Sequence, residues 1–141
     1  MPTLLTTDDP APSLVVAGRR VRPVLGDGSR YVFAVPPGGG EARLVSRSSA
    51  PCDVTPWVED RRSLGVILRR ITLHCGDSHQ DIAPDHPMLG AGWWPVERGS
   101  SEIWRWSDGN AALMLPADTT LLEIHIGQGK MYRAESMLRA A

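Results

Sequence analysis

The chain has 141 residues, 42% of them hydrophobic and 22% charged, with a formal net charge of -1. That length suits one domain with a real core. The near-neutral balance argues against non-specific nucleic-acid binding, which needs a concentrated positive surface, and no apolar run is long enough to cross a bilayer.

Residues 1–12 are polar, contain three prolines and predict a flexible N-terminal arm. They lack the basic start and apolar centre of a secretory signal, so the expected location is cytoplasmic, with a non-classical export route left open. Ser13 to Leu25 reads as strand, split in two by a turn near Gly18-Arg19-Arg20. Gly26-Asp27-Gly28-Ser29 is a turn. Arg30 to Val35 alternates cleanly, with Tyr31, Phe33 and Val35 on one face, and Pro36-Pro37-Gly38-Gly39-Gly40 ends it. Glu41 to Ser46 resumes as strand, with Ala42 and Leu44 on one face.

Ser48 to Arg62 is irregular and has the length of a crossing between sheets. Leu64 to Cys75 reads as one long strand whose apolar phase flips at Arg69-Arg70, as a β-bulge requires. Gly76 to His79 reads as a turn and Asp81 to Gly92 as a loop. Three more strands follow at Ser101 to Trp106, Ala111 to Leu115 and Leu121 to Ile126. Ser107-Asp108-Gly109-Asn110 between the first two predicts a hairpin turn. A short strand spans Lys130 to Arg133, and residues 134–141 form a tail or a short helix. These elements predict an all-β domain over residues 13–133, a single antiparallel β-sandwich of jelly-roll type with about nine short strands.

Four of the five tryptophans fall between Gly90 and Gly109, among Glu97, Arg105 and Asp108. Flat aromatic rings stack on the C–H faces of sugars, while carboxylate, guanidinium and amide groups orient the hydroxyls. Trp93 and Trp94 are therefore the candidate stacking platform, with Glu97, Arg105 and Asp108 as polar partners. Tryptophans at strand spacing also fill cores, and whichever of Trp104 and Trp106 faces inward is expected there. Trp57 and Trp94 sit in loop-like contexts that favour exposure.

His74, Cys75, Asp77, His79, Asp81, Asp85 and His86 include metal-ligand types, but they lack the paired spacing of a zinc site and the acid density of a calcium loop. No metal or other cofactor is expected. Cys52 and Cys75 either pair or remain as separate thiols. No nucleophile motif and no phosphate loop is present. Glu97 and Glu102 are a candidate pair of glycosidase carboxylates, although two acids separated by a loop are common by chance.

The runs Arg43 to Ser48, Asp60 to Val66, Gly92-Trp93 with Pro95 and Glu97, and Trp104 to Gly109 with Leu113 and Leu115 resemble a β-rich module of alphaproteobacterial proteins. That module is the C-terminal region of Hint-domain (hedgehog/intein-type) proteins. The Gly-Trp, Glu and Arg-Trp pieces are also similar to modules beside bacterial glycosyltransferases. The resemblance spans about Arg22 to Arg133. It implies an accessory β-sandwich, without the self-processing chemistry that needs an N-terminal Cys or Ser nucleophile. The tryptophans and their polar neighbours make the expected function non-catalytic carbohydrate binding or cell-surface recognition. The alternatives are a structural or oligomerising domain with its tryptophans in the core, and a small glycan hydrolase. A homodimer through sheet edges is the expected assembly, with no nucleic-acid or membrane partner.

Overall fold

The computed structural model describes residues 6–50, 60, 62–128 and 130–133. Cys52, Trp57, most of the irregular stretch after Ser48 and the expected C-terminal helical turn lie outside these residues. Among the described residues there are thirteen strands and no helix long and apolar enough to cross a membrane. The strands are β1 (Thr6–Thr7), β2 (Ser13–Val16), β3 (Arg19–Val21), β4 (Leu25–Gly26), β5 (Arg30–Ala34), β6 (Gly40–Val45) and β7 (Ile67–Cys75). Then come β8 (Ser78–Ile82), β9 (Glu97–Arg98), β10 (Ile103–Trp106), β11 (Asn110–Leu115), β12 (Leu121–Ile126) and β13 (Tyr132–Arg133).

The fold is an all-β antiparallel sandwich. One sheet runs β4-β5-β12-β7-β10-β9, with β8 also on β7, and the other runs β11-β6-β2-β3. β1 and β13 pair separately, which ties Thr6–Thr7 to the end of the domain. The core between the sheets follows the predicted alternation. Phe33, Leu122, Ile124, Leu68, Ile71 and Leu73 point inward from the larger sheet, and meet Leu14, Val16, Ala42, Leu44, Leu113 and Leu115 from the smaller. Removing this apolar surface from water is the main favourable contribution to folding.

The phase flip in β7 is a bulge. Arg70 pairs with His125 and Leu68 with Ile126, which leaves Arg69 as the extra residue. The bulge also divides one edge of β7, since Ile67–Leu68 take β10 and Ile71–Cys75 take β8.

Two expectations are corrected. Ser78–Ile82 is a strand rather than turn and loop. Its polar, mostly exposed residues carry no alternation, and its pairing with β7 alone makes it a strand. Asp108-Gly109 does not close a hairpin, because β10 belongs to the larger sheet and β11 to the smaller. The neighbouring backbone is claimed by different partners on each side. Ser107 N–H donates to Val66 and Asp108 N–H to Gly92, whereas the Gly109 carbonyl accepts from Ser46. Gly109 takes a φ of 100°, and the Asp108 carboxylate accepts the Asn110 N–H at 2.8 Å. The favoured turn chemistry is present, but it makes a corner from sheet to sheet.

Candidate functional site

The register of β10 decides where the tryptophans point. Arg105 lies opposite the inward Leu68, and Trp106 opposite Ile67. Because side chains alternate across a strand, Trp104 and Trp106 face outward. Glu97 of β9 lies opposite Trp104 and joins them. The Trp93–Ser107 bridge and the Trp94 N–H bond to the Trp106 carbonyl bring Trp94 beside Trp106. Trp94, Trp104 and Trp106 are all half-buried, and the buried core contains no tryptophan among the described residues. The expectation that Trp104 or Trp106 fills the core is corrected by this register.

A charged cluster adjoins the rings. Asp60 accepts a forked pair of bonds from Arg62, from Nε to Oδ1 at 3.1 Å and from Nη2 to Oδ2 at 2.7 Å. This fork, with the nearby Arg62 N–H, holds the Asp60 carboxyl down to about 2. The Arg62 guanidinium lies 5.7 Å from the centre of the Trp94 ring and 4.0 Å from Glu97 Oε2. That Glu97 oxygen is buried without a hydrogen bond. Lys130 lies over Trp106 at 6.0 Å and over Tyr132 at 5.5 Å. Asp60, Arg62, Glu97 and the rings of Trp94, Trp104 and Trp106 thus form one ledge.

The remaining predicted residues hold the ledge in place. Trp93 packs against the core, and its indole N–H donates to the Ala112 carbonyl at 2.9 Å. Arg105 donates to the carbonyls of Trp94 at 2.6 Å and Pro84 at 3.4 Å, which straps the 84–94 loop to β10. Asp108 is spent on its corner. Trp94 also anchors its indole N–H on the Ser63 carbonyl at 2.8 Å. Glu102 pairs with Arg69 at 2.8 Å.

A second polar group on the same outer face was not visible from spacing. Glu123 meets Arg30 at 2.5 Å and His74 at 2.8 Å, with His125 at 3.9 Å. Its side chain is only 13% exposed. The His74 hydrogen bond leads the effects that hold its carboxyl below the usual range, against the opposing effect of burial. His125 is pushed down by burial and then by Arg70. The alternation of Glu123 and His125 against Leu122, Ile124 and Ile126 did signal an outward face. Their partners come from β5 and β7, far away in sequence.

The rings of His74 and His79 are 6.0 Å apart, but no group of three or more His, Cys, Asp or Glu side chains among the described residues is arranged to hold a metal ion. Cys75 carries a free thiol. Comparison with family models, with curated proteins and with solved structures finds no match to this chain.

Proposed function

We propose that this protein is a non-catalytic glycan-recognition β-sandwich that binds saccharide on the ledge of Trp94, Trp104 and Trp106. The observation that carries this reading is the outward register of β10, which leaves three half-buried indoles beside an ion-pair cluster. Buried tryptophan would need no polar neighbours. A ring presented next to a carboxylate and a guanidinium matches both halves of a sugar, its C–H face and its hydroxyls. Glu97 Oε2 is closed to solvent 4.0 Å from the Arg62 guanidinium, which it helps to hold beside the rings. Arg62 and Asp60 hold each other in fixed geometry and keep further lone pairs and protons for ligand. Trp93, Arg105 and Asp108 position the ledge. The resemblance to accessory modules of Hint-domain proteins supports an accessory β-sandwich and names no ligand.

A glycan-array screen of the whole chain tests the proposal. A saccharide that binds the parent is expected to bind Trp94→Ala roughly tenfold more weakly, equivalent to about 1.4 kcal/mol. Binding unchanged in Trp94→Ala and in Trp104→Ala sinks the ledge. If glycan cleavage is detected and is lost in Glu97→Gln, the protein is a hydrolase and the non-catalytic reading is wrong.

A further inference from the structure

Away from the ledge, a cavity of about 370 Å³ lies where residues 9–13 pass Tyr31 and the segment from Arg20 to Pro23. That volume suits a small molecule. Strand register gathers its polar side chains. Leu14 and Val16 of β2 and Val21 of β3 turn to the core. Side chains alternate along a strand, so Ser13, Arg20 and Arg22 take the opposite face. Leu14 pairs with Val21, and the next step along both chains sets Ser13 beside Arg22.

Three donors of this lining are unspent. Ser13 is 5% exposed, and its hydroxyl is closed to water and makes no hydrogen bond. A buried hydroxyl without a partner is uncommon and costs stability. Arg20 and Arg22 have no ion pair or hydrogen bond among the described residues. Arg30, Arg47 and Arg62, by contrast, each meet a carboxylate. The one acid of the lining, Asp9, is already answered. Its Oδ1 accepts the Ala11 N–H at 2.9 Å, and its Oδ2 lies 3.7 Å from Arg47. Pro12, Pro23 and Tyr31 add an apolar wall. The cavity therefore joins two unanswered positive charges to a hydroxyl donor and an apolar surface. A single guanidinium fork matches a planar carboxylate. Two guanidiniums and a separate hydroxyl converge from different directions, which suits the tetrahedral oxygens of a phosphate, and its charge near -2 answers both arginines. Ser13 has one side-chain torsion and forms no bond where it stands, so turning its hydroxyl to a ligand oxygen breaks nothing.

We propose that this cavity binds a small phosphate monoester, with Arg20, Arg22 and the Ser13 hydroxyl donating to the phosphate oxygens and the ester group lying against Tyr31 and Pro23. The site goes beyond glycan recognition and does not depend on it. Phenyl phosphate is the probe, titrated calorimetrically into the whole chain at low salt, where exposed charges are least screened. Saturable binding is expected, weakened roughly threefold to tenfold by Arg20→Gln, by Arg22→Gln and by Ser13→Ala, and unchanged in Trp94→Ala. Ser13→Ala removes a hydroxyl that bonds nothing and should melt with the parent. The arginine variants change exposed side chains and keep the test decisive if it does not. No saturable binding in the millimolar range overturns the proposal. So does an affinity that either Arg22→Gln or Ser13→Ala leaves alone, or equal binding of benzoate, a planar anion on the same ring.

Discussion

Glu123 shows how much chemistry a single outward residue gathers when three strands surround it. His74, Arg30 and His125 hold its carboxyl below 4.5, so the folded chain favours the ionised form more than the unfolded chain does. That contribution is complete above about pH 4.5 and is lost as pH falls through the lower folded value. His125 behaves differently in origin but alike in sign. Burial and Arg70 push its folded value below 6.5, so the unfolded chain takes up this proton first as pH falls. Stability is therefore lost below about 6.5 as well. Calorimetric melting between pH 7 and pH 3 is expected to show a falling Tm with both limbs. His125→Gln should flatten the upper limb, and Glu123→Gln the lower one while also lowering the Tm at pH 7. A Tm that rises on acidification would refute this account. Asp60, held to about 2 by Arg62, keeps the charge on the ledge through the same range.

At the scale of elements, the corner between β10 and β11 decides how the sheets join. Ser107 is fully buried, and its hydroxyl accepts the Val66 N–H at 3.0 Å. Gly65 packs so closely that an added Cβ would overlap the Ser107 hydroxyl and meet the Gly109 nitrogen at 2.8 Å. Ser107→Ala strands a buried N–H and should destabilise the fold by about 1–3 kcal/mol. Gly65→Ala overpacks the same point and should also cost about 1–3 kcal/mol, read by urea unfolding with an unchanged m-value. A loss below about 0.5 kcal/mol in both would show that the corner relaxes freely. This corner also marks what sequence can reveal. Strand phase is local, so Leu122, Ile124 and Ile126, the Arg69-Arg70 bulge and the core set were legible. Pairing is not local. Asp108-Gly109 has the same chemistry whether its strands meet or part, and the partners that separate them, Ser46, Val66 and Gly92, are distant in the chain. The ledge was half legible for the same reason. Trp94 and Glu97 stood out by type, whereas Asp60 and Arg62 reach them only through the fold.

At the scale of the molecule, what a sandwich leaves open at its edges matters as much as its faces. The backbone of an edge strand invites pairing unless charge or another segment blocks it. β3 presents Arg19 and Arg20, β9 presents Glu97 and Arg98, and β8 is polar throughout except Ile82. The β11 edge is covered, since the 88–91 segment bonds to Ala112 and Met114. Among the described residues no segment covers the outer edge of β4. It is Leu25–Gly26 with no charge, Leu25 is 51% exposed, and the preceding Val24 is 66% exposed. An apolar, uncharged edge of this kind pairs best with its own copy, because the same surface then serves both partners. Short as it is, it supports a weak, concentration-dependent dimer rather than an obligate one. Sedimentation of the whole chain over a wide concentration range is expected to show reversible dimerisation, and Leu25→Lys should hold the protein monomeric without lowering its Tm. The glycan binding proposed for the ledge should be unaffected in that variant, because β4 and β9 lie at opposite ends of the larger sheet. Dimerisation that persists in Leu25→Lys would move the interface away from β4.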